Sequence, residues 1–185
     1  MKQISVIGCG RWGTFLGWYM ANKTSVESVL LYGLDGAPSY EELKNERKNE
    51  YLTLSDNMDM TSDLAQTLQN DFIIISINCQ GLRGLAKQIN TFPVEGKTFL
   101  LAMKGLEEPS AEILVDVFLS EMTQKVHVAT LGGPGHGEDY VKNVPSAAVI
   151  DSYEPETQDR VIKLMSSNLI RFYYGTDIIG NQVGA

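Results

Sequence analysis

Cysteine and histidine are scarce in this chain, two of each among 185 residues. Cys9 and Cys79 match no zinc-ligand spacing and are too few for a disulfide framework, so no metal site is expected. His127 falls within an apolar run and reads as structural, whereas His136 sits in a glycine-rich loop where it would line a site. Neither comes with the Ser or Cys partner and third orienting group of a nucleophilic triad. Positive charge is also in deficit. Fifteen Lys and Arg against 23 Asp and Glu give a formal net charge of -8, and no segment concentrates the basic residues. Nothing electrostatic therefore favours nucleic acid or an acidic membrane surface as a partner. No apolar run is long enough to span a bilayer, and Met1-Lys2 leads into a strand rather than a signal peptide, so a cytoplasmic location is expected. What remains is 43% hydrophobic and 21% charged, the composition of an ordinary globular chain with one sizeable domain or a domain and a short appendage.

The richest signal lies at the start. Lys2 to Gly13 reads KQISVIGCGRWG, a short β-branched run discharging into Gly8-Cys9-Gly10-Arg11-Trp12-Gly13 with G-x-G-x-x-G spacing. In a strand, glycine turn and helix of this kind the first glycine allows the tight turn, the second lets backbone approach a pyrophosphate, and the third lets helix and strand pack closely. The free amides and partial positive charge of the helix start then face the anion. Ile4, Val6 and Ile7 supply the strand and Thr14 to Ala21 a helix-compatible segment, so the turn predicts a dinucleotide site. Cys9 reads as a small filler residue within it.

Further along, Ser28 to Tyr32 predicts a second strand, completing a βαβ unit. Ser39 with Glu42 has capping-box spacing before a charged helix from Tyr40 to Asn49, irregular towards Tyr51. Thr61 or Ser62 is expected to cap a helix reaching Gln69. Asp71 to Ser76 is the continuous apolar strand of a sheet covered on both faces. A helix over Gly81 to Asn90, a strand over Thr98 to Met103, a helix after Ser110 and a strand over Val126 to Leu131 follow. A second glycine-rich turn, Gly132 to Gly137, precedes a strand at Ala147 to Ile150, a helix from Glu154 to Ser167 and a strand at Ile170 to Tyr174. This alternation predicts an α/β, doubly wound, mostly parallel Rossmann sheet.

Ligands of such sheets bind beyond the carboxyl ends of the strands. Lys104, directly after an apolar strand, would hold its ammonium over that crevice to pair with a phosphate or polarise a carbonyl oxygen; a solvated lysine at a loop start is the plain alternative. Asp35 is placed to hydrogen-bond an adenosine ribose, which would favour NAD, although Leu34 or Gly33 could equally occupy that position.

Six segments in register resemble the soluble NAD(P)-dependent glycerol-3-phosphate dehydrogenases: GCGRWG (the family's GxGxWG turn), SVLLYGLD, IISINCQGLR (its V-P-x-Q-x-x-R region), LLAMKGLE (its K-G motif), GGPGHGEDY and FYYGTDIIGNQVGA. The resemblance implies NAD or NADP as cofactor and interconversion of dihydroxyacetone phosphate, a phosphorylated triose, with glycerol 3-phosphate. It implies that Gly8, Gly10, Arg11, Trp12 and Gly13 meet the cofactor diphosphate, with Leu34 and Asp35 beside the adenosine ribose. Lys104 would contact both the nicotinamide side of the cofactor and the substrate, Gly133 and Gly135 would lie near the substrate, and Gly137 near the cofactor. Three departures stand out. Asn78 replaces the family's proline, Gly135 its usual serine, and Leu34 an Arg or His that would grip a 2′-phosphate.

The family's acid/base lysine follows Gly184-Ala185 and is not in this chain, nor is the helical substrate domain. Residues 1-175 are therefore expected to be the dinucleotide-binding domain and 176-185 the start of the helix leading onward. The chain alone should bind dinucleotide and turn over slowly or not at all, with a homodimer arising where an apolar face is left open. A related keto-acid or hydroxy-acid reductase and a non-catalytic dinucleotide-binding module are the other readings.

Overall fold

Four consecutive residues, Phe72 to Ile75, have no solvent exposure at all, and their alternation explains why the run is apolar without a break. Phe72 and Ile74 enter one hydrophobic cluster, Ile73 and Ile75 another on the opposite face of the sheet. The computed structural model describes residues 3–133 and 144–184. Among them the order is β1 (Gln3–Ile7), α1 (Arg11–Lys23), β2 (Ser28–Tyr32), α2 (Pro38–Glu46), β3 (Met58–Thr61), α3 (Leu64–Thr67), β4 (Phe72–Ile75), a 3₁₀ turn (Cys79–Gly81) and α4 (Leu82–Ile89). Then come β5 (Thr98–Leu101), α5 (Leu114–Ser120), β6 (His127–Gly132), β7 (Ser146–Asp151), α6 (Pro155–Met165), β8 (Ile170–Tyr174) and α7 (Ile178–Val183).

The strands form one sheet in the order β3-β2-β1-β4-β5-β6-β7-β8. The first six are parallel, β7 runs antiparallel to β6, and β8 is parallel to β7. The doubly wound, mostly parallel sheet expected from the sequence is thus the observed one. Residues of α1 and α6 pack on one face and those of α4 and α5 on the other. Strand order reverses at β1, which has β2 on one side and β4 on the other, and this opens a crevice at their carboxyl ends. No helix among the described residues is long and apolar enough to cross a membrane.

Local departures from expectation have local causes. The helix start assigned to a Ser39–Glu42 capping box has Ala37 at the N-cap with no side-chain cap and Pro38 in the first turn, whose fixed φ suits that position. The same helix stops at Glu46 because Arg47 adopts φ 54, and its guanidinium donates to the carbonyls of Ser55 and Met58 at 3.0 and 2.9 Å. The cap assigned to Thr61 or Ser62 belongs to Asp63, whose carboxylate accepts from the Ala65 and Gln66 amides, and that helix ends at Thr67. Strand β3 was not anticipated. Met58 and Thr61 are buried while Asp59 is exposed, the weak pattern of a short edge strand.

Tyr19 joins α1 to the end of α6. Its ring is fully buried, and its hydroxyl donates to the Met165 carbonyl at 2.6 Å and lies 2.8 Å from Ser167 Oγ. Tyr19→Phe keeps the ring and leaves that carbonyl without its donor. It is expected to cost about 1 kcal/mol and to lower Tm by roughly 2–4 °C. An unchanged thermal unfolding curve would show that the hydroxyl contributes nothing.

Candidate functional site

The three glycines after β1 answer to different demands. Gly8 has φ +110, and a Cβ built on it would fall 2.0 Å from the Ser76 carbonyl oxygen at the end of β4. A Cβ on Gly13 would fall 1.9 Å from the Gly8 carbonyl oxygen. Both residues are therefore glycine because the protein's own backbone occupies the space. Gly10 is different. Its φ of -71 and ψ of -177 suit any residue, and among the described residues nothing lies within 4 Å of where its Cβ would be. No atom of the described residues accounts for glycine at the N-cap of α1, whereas a phosphate resting on the backbone would. The first turn of α1 also carries no side-chain cap at Gly10 and no acidic residue, so no carboxylate of its own offsets the partial positive charge of the helix start.

These glycines open onto a cavity of about 770 Å³, within the range of cofactor sites. Of the residues singled out in the sequence, it brings together Gly8, Gly10, Arg11, Trp12, Gly13, Lys104 and Gly133. Leu34 and Asp35 are not in its lining. Leu34 is 66% exposed beyond β2, and the Asp35 carboxylate stands 3.7 Å from Lys44 Nζ in solvent. Gly135 and Gly137, together with His136, lie outside the described residues.

Trp12 stacks on Phe15 with ring centroids 5.2 Å apart. The Arg11 guanidinium lies over the Tyr51 ring, 4.4 Å from its centroid, and 3.9 Å from the Glu50 carboxylate. Tyr51 and Leu52 form a wall of the cavity that sequence reasoning missed. The available signal was Asn49, whose side-chain oxygen accepts from the Tyr51 and Leu52 amides and turns the segment towards α1. The Tyr51 phenol is pushed above its ordinary value, by desolvation first and then by its hydrogen bond to Glu50. Burial raises the Cys9 thiol, partly offset by Ser39, which makes it a poor nucleophile and supports its reading as filler.

On the far side, the ends of β4 and β5 contribute Ser76, Ile77, Asn78, Cys79 and Lys104. Asn78 caps the 3₁₀ turn, its side-chain oxygen accepting from the Gln80 amide at 3.0 Å. Its φ of -61 is one that proline adopts, so the departure from the family's proline leaves the turn intact. Lys104 is exposed on the cavity rim, and Gly105 at φ +107 turns the chain away behind it. A cationic rim, an anion-ready helix start and a largely apolar trough between them suit a long ligand with phosphate in its middle.

A family model described as NAD-dependent glycerol-3-phosphate dehydrogenase N-terminus matches residues 3–158. The NAD(P)+ glycerol-3-phosphate dehydrogenase of Carboxydothermus hydrogenoformans is 31% identical over 188 residues, covering 98% of this chain and 55% of the relative. That of Chlorobium luteolum is 28% identical over 185 residues, covering 98% and 56%. Among solved structures, the glycerol-3-phosphate dehydrogenase of Coxiella burnetii superposes with a TM-score of 0.85 at 21% identity, covering 98% of this chain and 56% of that one. The Plasmodium falciparum enzyme gives 0.83 at 17%, covering 98% and 54%. At these identities the two structures speak for the fold alone. The chain spans about half the length of the curated relatives it matches.

Proposed function

Because this chain belongs to the NAD-dependent glycerol-3-phosphate dehydrogenase N-terminal family, we propose that it is the dinucleotide-holding part of an oxidoreductase that interconverts dihydroxyacetone phosphate and glycerol 3-phosphate. The observation that carries this reading is Gly10 at the start of α1, a glycine that packing among the described residues does not require. NAD or NADP, when bound, supplies a nicotinamide ring that accepts or donates hydride.

The chain's residues do the rest. Gly8, Gly10 and Gly13 with the first amides of α1 hold the diphosphate, joined by Arg11 and Trp12. Leu34 and Asp35 lie on the adenosine side, just outside the cavity lining. Lys104 presents positive charge to the nicotinamide side and to the substrate's oxygen atoms, favouring the charge that builds on the carbonyl oxygen as it is reduced. Gly133 and Gly135 serve the substrate and Gly137 the cofactor. In this reading residues 1–175 are the dinucleotide-binding domain and 176–185 lead towards the substrate-binding part. The 185 residues alone bind without appreciable turnover, because the resemblance assigns proton transfer to a lysine outside them. A cytoplasmic location and a homodimer belong to the same proposal. A reductase of another keto or hydroxy acid is favoured only by Asn78 standing on the cavity wall in place of proline.

Titration with NADH and with NADPH, followed through the fluorescence of Trp12 in a Trp18→Phe chain, tests the reading. Saturable quenching by either supports it. Absence of quenching and of heat in calorimetry with both would overturn it.

A further inference from the structure

Resting on the reading of Lys104 given above, we infer that Gln80 and Arg83 are positioning residues for this lysine. They staple the segment that carries it to the end of the neighbouring strand. Neither side chain contributes to the cavity lining, and both are spent on the loop that follows Lys104.

That loop closes on itself. Leu106 bridges Ile113, the Glu107 amide donates to the Glu112 carbonyl at 3.0 Å, and the Ala111 amide to the Glu107 carbonyl at 2.7 Å. Its attachment to the body of the domain comes from the segment just after β4. The Gln80 amide is used at both ends, its nitrogen donating to the Leu106 carbonyl at 2.9 Å and its oxygen accepting from the Glu108 amide at 2.8 Å. A side chain with both a donor and an acceptor is needed to satisfy the two groups at once. Arg83 adds a fork. Nε and Nη2 donate to the two oxygens of Glu107 at 2.7 Å each, Nη2 reaches Glu112 at 2.9 Å, and Nη1 reaches Glu121 at 2.6 Å. The Glu107 side chain is 11% exposed, and the Arg83 bonds, with help from Ser110, hold its carboxyl down to about 2. It therefore stays ionised near neutral pH, the state that pairs with the guanidinium. Bidentate pairing of this type fixes direction as well as distance.

The consequence falls on Lys104, two residues before the Leu106 carbonyl that Gln80 grips. Lys104 has a flexible stem, and Gly105 behind it adds backbone freedom. With Leu106 and Glu108 anchored to the 3₁₀ turn and Glu107 to the first turn of α4, the segment carrying the lysine leaves β5 along one path, beside Asn78 and Cys79 on the cavity rim. The tether thus fixes the backbone from which the cation projects and narrows the space its stem can sweep, which favours an ordered contact with cofactor and substrate.

The 185-residue chain provides the test, with NADH as probe. Gln80→Ala should weaken binding about fivefold, the worth of one or two ordinary hydrogen bonds. Lys104→Met should weaken it about tenfold, and adding Gln80→Ala to that variant should bring no further loss. Gln80→Glu keeps the acceptor for Glu108 and loses the donor to Leu106, so it should fall between. A Gln80→Ala penalty that persists undiminished beside Lys104→Met is a general structural effect and overturns the inference, as does an unchanged affinity in either single variant. If the wild-type chain does not bind NADH, the dinucleotide reading itself fails and the tether is judged by trypsin. Cleavage after Lys104 about tenfold faster in Gln80→Ala/Arg83→Ala than in wild type supports it through local opening of the loop, and an equal rate overturns it.

Discussion

Replacing Gly10 with serine is expected to separate two properties that most mutations of a binding loop change together. Serine is a better N-cap than glycine, by a few tenths of a kcal/mol, and its Cβ meets no atom of the described residues within 4 Å. The fold should therefore be at least as stable as wild type in urea. The same Cβ stands where the backbone is open to a phosphate, so NADH affinity should fall on the order of 100-fold, about 2.7 kcal/mol. Gly10→Val should lose binding more completely, with a cap penalty of about 1 kcal/mol. Calorimetric titration beside urea unfolding reads both quantities on one preparation. Undiminished affinity in Gly10→Ser would leave the glycine without a ligand-based reason and remove the main support for the proposed site.

Gly13→Ala should do the reverse. Its Cβ would lie 1.9 Å from the Gly8 carbonyl oxygen and 3.3 Å from Ser76 Cβ, and backbone cannot yield as a flexible side-chain tip can. Helix α1 would have to lift off β1, opening contacts of buried residues such as Phe15, Leu16 and Tyr19. A loss of about 3 kcal/mol or more is expected, at the upper end of overpacking penalties. That is a large part of the 5–15 kcal/mol that typical domains possess. Urea unfolding within about 0.5 kcal/mol of wild type, the usual scatter of neutral substitutions, would mean that helix and strand are less closely packed than the structure shows. Two alanine-sized changes three positions apart thus have opposite readouts, because one glycine faces protein and the other faces open space.

The sequence revealed most where burial leaves little choice. Strands β2 and β8 fall where the apolar runs place them, and β4 is unmistakable because both of its faces are covered. Less was legible where a long-range contact decides a local boundary. Nothing near Arg47 announces that its guanidinium will reach Met58 and stop α2, and the half-polar MDMT gives no periodicity strong enough to declare a strand. The site shows the same division. The glycine turn and Lys104 reach the cavity lining from just beyond strong strands, the turn directly after β1 and the lysine three residues after β5, which makes their place legible. Tyr51 and Leu52 could not, since they reach the cavity through a loop whose course depends on Asn49 and Arg47. Leu34 and Asp35 follow the end of β2, but their turning outward into solvent is a matter of loop direction that residue type does not encode.

The close approach of Gly8 to Ser76 also has a temporal side. Strand β1 is made first on the ribosome, yet its right-hand neighbour in the sheet is β4, and the turn after β1 takes its shape against the carbonyl at the end of β4. Until that later segment has emerged and docked, the phosphate cradle is a glycine-rich tail with no fixed form. A nascent chain stalled before Phe72 would be blind to dinucleotide, and one long enough for β4 to have cleared the exit tunnel would have the cradle with strands on both sides of it. Because ligand stabilises only the assembled state, dinucleotide in the medium would begin to favour folding at one definable moment in synthesis, the arrival of the fourth strand.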